Sequence, residues 1–576
     1  MTRARRLGVR LAVAAAVACA GSGCAVIPVG GPSIVNDAGG GDPLSKPFQR
    51  MIATPPQPTW DAEQVVRGLQ AAMAAYDDDP ATLPLYLTPE ARAAWKPTGT
   101  VTVIDDAFQV TYADDREADA GEERKVSIKA RQIATIGDDD AYVPSPGPAP
   151  AKDFTLVKTD KGYRVDKLPD GLLLTSSDVA RAYRGTNLYY LNGVSQDRLV
   201  VDRVWLRVRP AESFARTIVE RLLKEPSAGL RGAVTTGFPP GTKVDSVRVG
   251  EEDRVVISLS GPLYLSKPDA LMAQLKLSLN KNGMAIGRTI EVQVNGEPFA
   301  SADRDLDQGW TDNGGNTPFY TDREGALHVL TDDGSGVTVP GAAGQANPGF
   351  RYFALAKQTT GLVAAMTSTG ISITTLTQEG RWQQVIQGDP DKLTPPTWHR
   401  DGSLWTYDRK NGVVLRYDPQ SGRGPERVAA PKLQGLDVTQ LRIARDGVRV
   451  AVMTGRNTVQ VGALTGGAAG YMLANFHLLT TVEVGGEILD IAWGDGEHVL
   501  VLVKSKAGQS LREINVGDGE TVQLPLKDKL TYLAALGERI LAAADTDKGT
   551  QILELNQDHQ SWTARLEATR PLFPLS

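Results

Sequence analysis

Four stretches in the C-terminal half of the chain share one frame of apolar strand, polar turn and apolar strand: PTWHRDGSLWTYD from Pro396, RIARDGVRVAVM from Arg442, DIAWGDGEHVLVLV from Asp490 and TYLAALGERILAAA from Thr531. A weaker fifth copy, YFALAKQTTGLVAAMT, starts at Tyr352. Aligned on Ala354, Trp398, Ile443, Trp493 and Leu533, the copies recur at steps of about 40 to 50 residues, the period of β-propeller blades. Asp401-Gly402, Asp446-Gly447 and Asp495-Gly496 fall at the turns, where glycine takes the positive φ that other residues resist. The segment PFYTDREGALHVLTDDGSGVTVP, from Pro318, reads as the outer strands of one more blade. Placed against the final copy, it closes the ring and removes exposed sheet edges. Five or six blades fit residues 317–576 equally well. The competing arrangement, an open two-sheet sandwich, rarely has such even spacing.

The other end of the chain fixes its compartment. In MTRARRLGVRLAVAAAVACAGSGCA, Arg3, Arg5, Arg6 and Arg10 make a positive end and Leu11 to Ala18 an uncharged apolar run. That pattern is a secretory signal, too short for a bilayer core of about 30 Å. Gly21-Ser22-Gly23-Cys24 reads as a lipobox: residues 1–23 are removed by cleavage after Gly23, and Cys24 carries the lipid. Two other cuts compete. One is a lipobox ending at Cys19, and the other is an A-x-A site at Ala18-Cys19-Ala20 that releases a secreted protein. All three export the chain. Cys19 and Cys24 are the only cysteines, so lipidation at Cys24 leaves no disulfide, no thiol nucleophile and no thiolate metal site.

Residues 24–59 carry glycine and proline clusters without apolar periodicity and read as a tether. A formal net charge of −6, more negative once the leader arginines are gone, argues against nucleic acid and against adsorption to anionic lipid. No second long apolar run occurs, so no transmembrane helix is expected.

Residues 60–174 read as an α+β unit. Asp61 caps a helix with Gln64 as its capping-box partner, and Val65, Val66, Leu69, Met73 and Tyr76 form the apolar stripe. Thr88-Pro89 starts a short helix, and strands follow from Val101 to Lys167. The segment AEQVVRGLQAAMAAYDDDPATLPLYLTPEARAAWKP is similar to the N-terminal NTF2-like module of the LpqB lipoproteins. No acid and base pair marks an enzyme in it, which leaves a structural or binding role.

Residues 184–304 read as a second α+β unit. Its strands fall at Leu188 to Leu191, Leu199 to Val208, Val244 to Val249, Val255 to Leu259 and, closing the unit, Ile290 to Val294. Its helices span Ala211 to Lys224 and Pro268 to Leu279. The stretch FARTIVERLLKEPSAGLRGAVTTGFPPGTKVDSVRVGEEDRVVISLSG resembles the GerMN module of sporulation and germination lipoproteins, with Leu222-Leu223, Pro226, Gly232, Phe238-Pro239 and Gly241-Thr242 as its marks. Glu225 stands where that family has glycine. Past this unit, Ser301 to Asn316 is rich in Asp, Gly and Asn. It predicts a boundary between separately folding halves, Trp60 to Ala302 and Thr311 to Ser576.

No stretch carries recognisable chemistry. His328, His399, His477, His498 and His559 lack metal-ligand spacing, and His399 and His498, at blade turns, are expected on the surface. Ser278 and Lys281 match Ser-x-x-Lys without its companion motifs. Asp303, Asp305, Asp307 and Gly309 miss the calcium-loop spacing, and no Walker, HExxH, GxSxG or Rossmann fingerprint occurs. No catalytic, cofactor-binding or metal-binding residue is assigned.

The predicted fold class is multidomain α+β and all-β: two small α+β modules, then a five- or six-bladed β-propeller. Lipobox, tether, NTF2-like module, GerMN-like module and propeller, in that order, resemble the LpqB family of actinobacterial lipoproteins, as do GCAVIPVGGPS around Cys24 and TPPQPTWDAE before the first helix. The resemblance implies a non-enzymatic lipoprotein on the extracytoplasmic face of the cell membrane. It also implies binding to the extracytoplasmic domain of the MtrB sensor histidine kinase, and modulation of MtrA–MtrB signalling in cell-wall metabolism and division. The alternatives are a passive lipoprotein that binds cell-wall glycan or peptidoglycan, and a wall-active enzyme with a propeller pocket.

Overall fold

In the computed structural model the described residues are 33–36 and 49–575, apart from 113–122, 149–150, 250–253, 262–267, 303–308, 312–316, 358, 468–469, 527–528 and 548. Cys24 and Gly23 lie outside them. The chain divides into two compact units, one built mainly from residues 49–133 and 147–179, the other from 134–146 and 180–576.

In the first unit the helix Ala62–Ala75 starts as its sequence dictates. Gln64 N–H donates to the Asp61 carboxylate at 2.8 Å, and the Gln64 side chain accepts from Asp61 N–H at 3.0 Å. Val65, Val66, Leu69 and Met73 are buried. Thr88 caps the helix Pro89–Ala94, accepting from Ala91 N–H at 3.1 Å. Strands Gln109–Tyr112, Glu123–Lys129, Lys152–Thr159 and Gly162–Lys167 form one antiparallel sheet, and Leu173–Thr175 runs parallel to Val101–Ile104. The tether is shorter than the expected span to Thr59. Met51 and Ala53 are buried, Met51 N–H donates to Asp78 at 3.0 Å, and the Tyr86 hydroxyl donates to the Thr54 carbonyl. Glycine and proline clusters hide this, because docking of a non-periodic segment is decided by its partners and not by its own pattern.

In the second unit the GerMN-like part has two sheets. One orders Leu199–Arg207, Tyr183–Asn192 and Val234–Thr235. The other orders Lys243–Val249, Arg254–Ser260, Thr289–Val294 and Glu297–Ala302. The expected closing strand Ile290 to Val294 is therefore not the last one, because Asn295 and Gly296, both at positive φ, turn the chain into a further antiparallel strand. Helices Ala211–Leu222 and Pro268–Lys281 cover the sheets, with Phe214, Ile218, Leu271 and Leu275 in the core.

Among the described residues the propeller has six four-stranded blades. The segment from Pro318 supplies the three outer strands of one blade, and the inner strand comes from the far end of the chain: Phe319, Tyr320 and Thr321 pair with Leu572, Pro571 and Arg570. The ring is thus closed by hydrogen bonding between its first and last segments. Repeated tryptophans stitch neighbouring blades. The Trp398 indole N–H donates to the Ala354 carbonyl and that of Trp493 to the Arg442 carbonyl, each at 3.0 Å. Gly402 and Gly447 take positive φ in their turns. The Asp495 turn does without it, its carboxylate accepting from the backbone N–H of Glu497 and His498 at 2.6 and 2.7 Å.

Candidate functional site

Turns after the inner strands Val438–Ile443 and Glu487–Trp493, together with the turn after Gly508–Asn515, hold the GerMN-like part. Arg449, 5% exposed, bonds the Val201 carbonyl and pairs with Asp446 at 3.1 Å. Asn192 donates to the Asp446 carbonyl at 3.0 Å, and the Asn187 amide donates to both Glu497 oxygens at 3.2 and 2.9 Å. Arg203 pairs with Asp518 and, at 3.0 Å, with Glu520, while the Trp205 indole N–H donates to Asp518 at 3.1 Å. Val448 and Ala463 of the propeller enter the hydrophobic core of the GerMN-like part. The expected cut between Trp60–Ala302 and Thr311–Ser576 crosses a shared core, because residues 180–576 pack as one compact unit. Burial, and then Asp495, push the Glu497 carboxyl up from its ordinary value. Burial acts the same way on Asp495, but bonding and charge from His498 outweigh it and hold that carboxyl down.

Beside this clasp a groove of about 380 Å³ opens between three segments. One wall is Tyr142, Val143 and Pro144, one is Ser227 to Leu230, and the third is Phe476 to Leu479 on the outer strand Gly470–Thr481. The turn of residues 137–141 is fixed in place: Arg221 pairs with Asp140 at 2.8 Å and donates to the Asp139 carbonyl at 2.7 Å, and Ala228 N–H donates to the Asp139 carboxylate at 2.7 Å. Tyr142 stacks on Trp205 with ring centroids 4.6 Å apart. On this rigid frame two large apolar side chains stay in water, Val143 at 52% and Leu478 at 61% exposure. His477, on the same strand, has its pKa lowered by burial.

The residues singled out in sequence fall elsewhere. His399 is not a surface residue: it is 4% exposed, its Nδ1 lies 2.8 Å from Asp401 and its Nε2 2.8 Å from the Gly447 carbonyl. The turn that carries it packs against the next blade's turn, a contact no local pattern reveals. His498 pairs with Asp495 at 2.9 Å, and His328 with Asp322 at 3.0 Å. Ser278 is buried and accepts from Tyr189 N–H at 3.0 Å, a structural use of its hydroxyl. Asp303, Asp305 and Asp307 lie outside the described residues. Among the described residues no group of three or more His, Cys, Asp or Glu could hold a metal ion, and no helix is long and apolar enough to cross a membrane. Sequence reasoning missed Val143, Leu478 and the clasp residues Asn187, Arg203 and Arg449. The one available signal was the run of charged and aromatic residues in DRVWLRVR, more polar than a plain sheet strand.

Comparison with known proteins accounts for most of the chain. Residues 55–180 match the model of the lipoprotein LpqB N-terminal domain, 187–300 that of the sporulation and spore germination domain, and 325–574 that of the lipoprotein LpqB beta-propeller domain. A lipoprotein LpqB of Thermobifida fusca (strain YX) is 29% identical, with 98% of this chain and 99% of that protein covered. One from Mycobacterium tuberculosis (strain CDC 1551 / Oshkosh) is 25% identical, with 93% and 92% covered. Among solved structures, TolB from Acinetobacter baumannii is 12% identical with a TM-score of 0.36, over 58% of this chain and 98% of that one. With all three domains matched in order and lipoprotein relatives aligned nearly end to end, the chain belongs to the LpqB family of lipoproteins.

Proposed function

We propose that this chain is a non-enzymatic binding lipoprotein of the extracytoplasmic face. It is anchored by acylation of Cys24 after cleavage at Gly23, and it docks on the extracytoplasmic domain of a sensor histidine kinase of the MtrB type. The observation that carries the reading is the groove rimmed by Val143 and Leu478, where a rigid frame keeps apolar side chains in water as a partner surface requires. Tethering supports it as well. An acyl anchor keeps the groove near a membrane-embedded partner, and tethering can raise effective concentration to about the mM range, so a weak contact suffices. Signalling changes only if one sensor conformation is bound better than another.

The test is titration of the purified chain with the sensor's extracytoplasmic domain. Leu478→Asp and Val143→Asp should each weaken binding by about tenfold or more, roughly 1.4 kcal/mol, and leave Tm unchanged because both side chains are exposed. Equal affinity in both variants would remove the groove from the interface. Absence of binding by the unmodified chain would remove the kinase.

A further inference from the structure

On the face of the propeller opposite the clasp, two inner strands, Arg351–Leu355 and Arg570–Leu572, begin at a second cavity of about 220 Å³, whose other walls are residues 321–325 and 347–350. Arg351, Tyr352 and Arg570 open their strands there, whereas Asp446 and Glu497 sit past the ends of theirs. Arg570 is held between two tyrosines, its guanidinium carbon 4.3 Å from the Tyr352 ring centroid and 5.0 Å from that of Tyr532, and its buried Nη1 has no hydrogen-bond partner among the described residues. Behind it Arg442, 6% exposed, donates a long bond of 3.4 Å to the Tyr532 hydroxyl. The acid nearby does not neutralise either arginine by contact. The Asp490 oxygens are taken by the Gln440 amide at 3.0 Å and Leu533 N–H at 2.8 Å. Asp322, on the cavity wall, is taken by His328 at 3.0 Å and by the backbone N–H of Glu324 and Ala326, each at 2.9 Å.

Tyr352 stands out in the backbone as well. Its φ is +51°, in the left-handed region that a bulky side chain avoids, and the pairing register shifts between Arg351 and Ala354. Such strain persists where the surroundings hold it and collects at ligand sites. Here it lays the tyrosine ring over Arg570.

We propose that this cavity is a binding site for a small carboxylate, such as the C-terminal end of a short peptide, which displaces the Tyr352 ring and pairs with the Arg570 guanidinium. A guanidinium fork matches a planar carboxylate in two parallel bonds. The buried Asp490 behind it disfavours a dianion. A cavity walled by inner strands offers the concave, mostly preformed setting that small ligands need.

Calorimetric titration of the purified full chain with N-acetyl-alanyl-alanine, its C-terminal amide and inorganic phosphate tests the site. The acid should bind and the amide should not. Arg570→Lys, which keeps the charge and loses the fork, should weaken the acid by about tenfold or more. Arg570 lies on the ring-closing strand, so Tyr352→Gly provides a second arm. It relieves the backbone and uncovers the guanidinium, and should tighten the acid by about threefold. Amide or phosphate binding as well as the acid, absence of acid binding, or an affinity that Tyr352→Gly leaves unchanged or weakens would overturn the proposal.

Discussion

Glu497 shows what a single side chain does at a packed boundary. It receives two bonds from Asn187, yet burial and Asp495 raise its pKa from the ordinary 4.5, so the folded protein holds this proton more tightly than the unfolded chain does. The stability contributed by such a group is fully present below its unfolded pKa and is lost as pH rises through the folded one. Glu497→Gln removes the charge and keeps an acceptor for Asn187. The Tm of the variant should therefore match the parent near about pH 4 and exceed it by a few degrees near about pH 7. A Tm difference that stays constant across this range would show that Glu497 ionisation does not work against the fold. None of this was visible in the sequence, because the turn DGEH names the residue but not Asn187, which lies 310 positions away.

At the scale of elements, legibility followed locality. The capping box at Asp61, the cap at Thr88 and the inner strands of the repeated blades were readable because each is set by residues a few positions apart. The strand Tyr142–Pro148 was not, since YVPSPGP has proline at alternate positions and no apolar alternation. The strand Arg570–Leu572 was too short to show a period, although it decides whether the ring closes. Its neighbour Phe573 is fully buried against Tyr320, Leu541 and Ile552. Phe573→Ala should cost about 3–5 kcal/mol, read by denaturant unfolding. Ending the chain at Thr569 should do more. It leaves the strand Phe319–Thr321 with an unpaired edge, and the product should aggregate or run as an oligomer on size exclusion. A monomeric, cooperatively unfolding truncation would mean that closure does not depend on this strand.

For the molecule as a whole, the composition of residues 301–316 suggested a place to cut, and the packing on either side of it argues otherwise. Linker composition reports on the linker alone. Whether two modules are independent depends on the surface they share, and here that surface includes Val448 and Ala463 in a common core and a buried Arg449 bonded to the Val201 carbonyl. A propeller made from residue 311 onward would expose those apolar groups and leave Arg449 with Asp446 as its remaining ion-pair partner. Water replaces the Val201 carbonyl at the uncovered guanidinium, so the loss comes mainly from the apolar groups of the shared core returned to solvent. The isolated propeller should therefore have a Tm lower than that of the intact chain, and a fragment of residues 180–302 added in trans should restore part of the difference. The effect of the added fragment should depend on its concentration, because binding to the folded state alone stabilises by mass action. An isolated propeller that melts like the intact chain and ignores the fragment would show that the shared core adds nothing and that the modules are independent after all.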